Sequence, residues 1–293
     1  MRYAMGITTD ASRGWGRHMV NMGNVWDRTT EFLSDNLGAI MPIALLAIFV
    51  PQSVSTAITQ AGTAVNPAVG QVVGLVLILI VIWGQLAVTA LALSPEAGRG
   101  PAQSLATRRF GHAILAMLIP FAVVMLLALP IFIALAAGGV DLAAMMRPQG
   151  AAPVEIPTGI RAFVGLYALF WVVAALFIAV RFTTLLFSVV LEEGGVIAAL
   201  RRSYALSRGI VWKMIGVVLL FGLVYLVAYV AITSVFGLLF RLVAPDAGPF
   251  GIGAIIVAIL AGAVATAYSV TVAAFAAKLY RAAVAAREGA SAA

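Results

Sequence analysis

Six long apolar stretches constrain this chain more than any other feature. They run over residues 38–60, 69–93, 113–138, 162–190, 211–240 and 251–277. Each reaches the ~20 residues a helix needs to cross a ~30 Å hydrocarbon core, where a spanning segment must satisfy its own backbone groups. The sequence therefore predicts an all-α polytopic membrane protein with six transmembrane helices. Of 293 residues, 63% are hydrophobic and only 10% charged, so no appended catalytic domain of ordinary size is expected.

The net charge of +7 would suggest a nucleic-acid partner in a soluble chain, but its distribution points to topology instead. Arg2, Arg13, Arg17 and Arg28 precede the first stretch, and Arg99, Arg108 and Arg109 follow the second. Arg201, Arg202, Arg208 and Lys213 follow the fourth, and Lys278, Arg281 and Arg287 follow the sixth. Fourteen of the 18 basic residues thus fall on one side, which by the positive-inside rule predicts that both termini are cytoplasmic. Residues 1–36 carry charge throughout and no apolar h-region, so they read as a cytoplasmic segment rather than a cleavable signal. Residues 37–280 form the expected transmembrane domain and 281–293 a cytoplasmic tail.

Amphipathic segments precede the first, third and fifth spans. Before the first, Asn24 reads as a helix cap, with Val25, Trp26, Thr29, Phe32, Leu33 and Leu37 near helical spacing. Before the fifth, Ile197, Leu200 and Tyr204 predict an apolar face, with Arg201, Arg202 and Arg208 on another. A weaker version runs from Pro101 to His112. Together they predict interfacial helices leading three parallel two-helix repeats. Pro42, Pro51, Pro120 and Pro130 predict local disturbance of their helices, and the Gly70/Gly74 pair predicts close helix approach.

Candidate chemistry is sparse. The absence of cysteine removes disulfides and thiolate ligands, and His18 and His112 have no ligand-type neighbour at helical spacing. No catalytic, cofactor-binding or metal-binding residues are assigned, and Glu192 and Glu193 read as a solvated helix end. Arg181 is the one basic residue well inside an apolar stretch. Eleven residues separate it from Glu192, close to three turns, which predicts a shared face. A guanidinium in that setting needs an acceptor, and a lipid phosphate suits its bidentate geometry. The candidate lipid or phosphate contacts are Arg181, Arg201, Arg202, Arg208 and Lys213.

The segment Leu191–Gly209, followed by Val211-Trp212-Lys213, resembles a recurring element in the membrane domain of some glycerophosphoryl diester phosphodiesterases and related bacterial inner-membrane proteins. Trp26-Asp27-Arg28 with Phe32, Asn36 and Pro42 is similar to that group's opening helix. The resemblance implies a helical membrane module of the bacterial cytoplasmic membrane. The family's catalytic barrel has no counterpart here, so no enzyme activity is expected. The function expected is a non-enzymatic module contacting membrane lipids, anionic ones included, or organising a membrane process, without nucleic acid. The alternative is a transporter or channel-like protein for a lipid, phosphodiester or other small molecule, which would need a polar cavity lined by Arg181, Gln85 and the tyrosines of the fifth span.

Overall fold

The computed structural model describes residues 20–140, 156–183, 186–192, 195–243 and 251–291. Every regular element among them is helical. Helix α1 spans Met22–Asp35, α2 Leu37–Ala61, α3 Pro67–Leu93 and α4 Arg99–Ala137. They are followed by α5 Thr158–Ile178, α6 Leu186–Glu192, α7 Val196–Ser207, α8 Val211–Ala231, α9 Gly237–Val243 and α10 Ile252–Ser291. Six segments are long and apolar enough to cross a membrane, so the chain is an integral membrane protein. The fourth runs through α5 and α6, and the fifth through α8 into α9.

Each expected pair of spans packs together: α2 with α3, α4 with α5, and α8 with α10. Separate short helices precede the first and fifth spans. The third has none: Pro101–His112 is the opening of the 39-residue α4, whose poor apolar face gives no reason to break away from the span. Helix α1 begins at Met22 rather than after Asn24. Asn21 is its cap, accepting from the Gly23 amide at 2.9 Å through its side chain. Its Val25, Thr29 and Phe32 are buried, and the helix packs onto α10 instead of presenting that stripe to lipid.

Burial is concentrated at one end of the bundle. In α3 it covers Gly84 and the run from Leu86 to Leu93, in α6 Leu186 and Ser188–Leu191, and in α10 much of 273–283. By contrast, α5 has no buried residue and α8 only Val211 and Met214, in its first turn. Hydrocarbon solvates Leu and Val as well as a protein core does, so helices in lipid gain little by hiding them. Close packing is made by small residues instead. Gly84 lies so near α2 that an added Cβ would sit 3.1 Å from the Ala47 carbonyl oxygen, and Gly262 lies 3.0 Å from Ser53 backbone by the same measure. Gly74, in the predicted pair, has open space around it, and Gly70 makes only ordinary contacts.

The buried end is also the basic end, and α10 ties it together. Lys278 Nζ donates to the Ala92 carbonyl at 2.9 Å and Arg281 to the Leu93 carbonyl, satisfying acceptors left free where α3 ends. Arg287 donates to the Ala205 carbonyl near the end of α7, and the Tyr280 hydroxyl donates to Glu192 at the end of α6. One helix thereby closes the ends of three others. Pro51 accounts for a further irregularity. It has no amide hydrogen and its ring crowds the preceding turn, and α2 widens into a π turn at Leu45–Phe49, where Val50 N donates to Leu45 O. Near Pro130 the α4 backbone takes outside donors: Tyr167 hydroxyl to Leu127 O at 3.0 Å and Trp171 Nε1 to Val124 O at 2.9 Å.

A candidate anionic-headgroup site

A second π turn, Ala179–Thr183, directly follows α5 and contains Arg181. A π turn releases carbonyls from the regular ladder, and α7 makes use of them. Ser203 Oγ donates to Phe182 O at 3.1 Å, and Ser207 Oγ donates to Arg181 O at 3.4 Å and to Tyr204 O at 3.0 Å. Serines four residues apart share a helix face, so α7 is docked by Ser203 and Ser207 and buries Ala199, Leu200, Ser203, Leu206 and Ser207. Helix α7 starts from extended Gly195 and is followed by Gly209, whose φ of +88° turns the chain into α8.

The docking sets the position of Arg181. It lies level with α7, at the bundle end that carries the other arginines, rather than alone in the middle of a span. Its guanidinium carbon is 3.8 Å from the Tyr204 ring centroid and 5.6 Å from that of Phe177. Its Nε is buried without a hydrogen-bond partner among the described residues. A cation over aromatic faces keeps its charge stabilised from two sides while its N–H groups still require acceptors.

Tyr204 was expected to anchor an apolar face apart from the arginines. It is instead 43% exposed and stands among them. At 100° per residue, Arg201 and Arg208 each project within about 60° of Tyr204, and both are exposed. Leu200 alone of the predicted apolar set is buried, and Ile197 shares the exposed face with Tyr204. Arg181 thus stacks on a tyrosine that Arg201 and Arg208 flank by helical position. Arg202 is exposed but turned about 100° from Arg201. Lys213 is set apart, donating to Val20 O at 3.5 Å just ahead of α1.

The expected shared face of Arg181 and Glu192 spans residues 184 and 185, which lie outside the described residues. Glu192 accepts from Tyr280. Tyr225 belongs to an apolar groove between α1, α8 and α10 that neither Arg181 nor Gln85 lines. A separate cavity of about 450 Å³ at the basic end mixes Arg28, Lys278 and Arg281 with Glu31, Asp35 and Glu96.

Among the described residues, no three His, Asp or Glu come together as a metal site, and His112 is exposed on α4. His18 and Glu193 lie outside the described residues. Sequence reasoning missed the structural role of Ser203, Ser207 and Phe177. The available signal was a pair of serines at i and i+4 in a helix otherwise read only for its apolar and basic residues. Comparison with known proteins finds no matching family model, no matching curated protein and no matching solved structure.

Proposed function

We propose that this protein is a non-enzymatic membrane module that binds anionic lipid headgroups through Arg181, Arg201 and Arg208 around Tyr204. The observation that carries the reading is Arg181, stacked on Tyr204 with a buried Nε that has no partner among the described residues. A phosphodiester supplies two acceptor oxygens in a plane that suits a guanidinium fork, and lipid is the phosphate source at hand beside a membrane helix. Exposed Arg201 and Arg208 add attraction of about 1 kcal/mol each near an anionic surface. Arg202 and Lys213 contribute to the same field from the sides of the cluster.

On this reading the basic end faces the bacterial cytoplasm, where anionic lipid and the positive-inside rule both favour it. The resemblance to a phosphodiesterase-associated membrane domain fits a role that accompanies lipid chemistry rather than performing it.

The test is native mass spectrometry of the chain extracted with its own lipids, comparing wild type with a variant carrying Arg181→Gln, Arg201→Gln and Arg208→Gln. The wild-type chain should retain anionic phospholipid that the variant loses, with insertion and folding intact. Equal retention by the two would remove the headgroup site and leave the arginines as topology signals.

A further inference from the structure

We propose that the groove between α1, α8 and α10 binds a neutral lipid bearing a hydrogen-bond acceptor at mid-membrane depth, of the kind that a prenylated quinone ring supplies. The site uses none of the arginines of the headgroup cluster and goes beyond that reading.

The groove has a volume of about 760 Å³. It opens at Met22 and Trp26 on α1 and runs down between Val217–Ala228 on α8 and Phe275–Val264 on α10. Eleven residues of helix on each wall give it a length of ~16 Å, close to one leaflet of a ~30 Å core.

Two features distinguish its occupant from a phospholipid tail. First, the walls are aromatic as well as aliphatic. Trp26 and Phe221 lie 5.6 Å apart by ring centroid, Phe221 meets Phe275 edge-on at 5.3 Å, and Tyr225 lies 4.7 Å from Tyr268. Such walls favour a flat ring. Second, the Tyr225 and Tyr268 hydroxyls have no hydrogen-bond acceptor among the described residues. Tyr225 is twelve residues beyond Lys213, the last charge before the span, which puts it ~18 Å down the helix and near the centre of the core. A hydroxyl without a partner is costly in hydrocarbon. The ester carbonyls of a phospholipid stay at the interface, so an ordinary acyl chain leaves these donors unpaired. A ring carbonyl carried to the same depth pairs them.

The experiment titrates the full-length chain with decyl-benzoquinone and reads the bound complex by native mass spectrometry, with decylbenzene as a competitor of similar shape that lacks an acceptor. The wild type should bind the quinone saturably with about tenfold preference over decylbenzene, the order expected of one net hydrogen bond. Tyr225→Phe with Tyr268→Phe should abolish that preference while leaving the affinity for decylbenzene unchanged, and Ala267→Trp should block both probes. Arg201→Gln and Arg208→Gln should change neither, which separates this site from the headgroup cluster. Equal affinity for the two probes, a preference that survives the double Phe variant, or no saturable binding overturns the proposal. So does a dimer that Ala267→Trp dissociates, because the groove would then hold a second copy of the chain.

Discussion

Lys278 Nζ reaches the Ala92 carbonyl at 2.9 Å while lying 4.6 Å from the centroid of the Phe32 ring. The ammonium therefore joins three elements: α10 that carries it, α3 whose end it caps, and α1 whose aromatic ring it covers. A residue that the sequence presents as one more positive charge at the end of a span proves to be a tie between the first helix and the last.

Removing that tie should be costly. Lys278→Met keeps the aliphatic stem and loses the charge-assisted bond, and should destabilise the protein by about 1.5–3 kcal/mol. Thermal unfolding in detergent, followed by circular dichroism, measures it. Limited proteolysis should show α1 released first, because Phe32 loses the cation above its ring.

Tyr204 should matter as a ring rather than as a hydroxyl. Tyr204→Phe keeps a face for Arg181 and should retain anionic lipid at near wild-type levels. Tyr204→Leu removes the cation–π contact, worth about 0.5–2 kcal/mol, and should reduce retention severalfold. Equal behaviour of the two variants would show that Arg181 does not depend on the ring.

The two serines of α7 should act as a docking pair. Ser203→Ala and Ser207→Ala should each cost about 1 kcal/mol, and together they should loosen α7 from the π turn. Hydrogen exchange of the α7 amides reads this directly: faster exchange confined to residues 196–207 is the expected outcome.

Close packing predicts intolerance at two glycines. Gly84→Val and Gly262→Val should each destabilise by about 1–3 kcal/mol through overpacking against Ala47 and Ser53. Gly74→Val, facing open space, should be nearly neutral. A comparison of detergent melting temperatures separates the two classes.

Topology gives the last prediction. Reporter fusions at residues 100 and 200 should read as cytoplasmic and one at residue 150 as external, as the distribution of arginine requires. A cytoplasmic signal at residue 150 would contradict the proposed orientation.

The spans were legible in the sequence because hydropathy is local: each window of about 20 residues states its own preference for lipid, whatever it later packs against. The pairing of α2 with α3 was legible for a similar reason, since the short connection from Ala61 to Pro67 leaves little choice of neighbour. The fate of each amphipathic face was not. Periodicity showed that Val25, Thr29 and Phe32 share a stripe, but not that the stripe would meet α10, at the far end of the chain. Helical counting also gave no sign of the π turn that holds Arg181. Tyr204 could be read only as apolar until Ser203 and Ser207 docked α7 against the carbonyls that this turn had freed. Composition and charge order decided that the chain enters a membrane and which segments cross it. Contacts between residues far apart in sequence decided which ring Arg181 meets, because they depend on the rotation of each helix about its axis, and no single helix sets that alone.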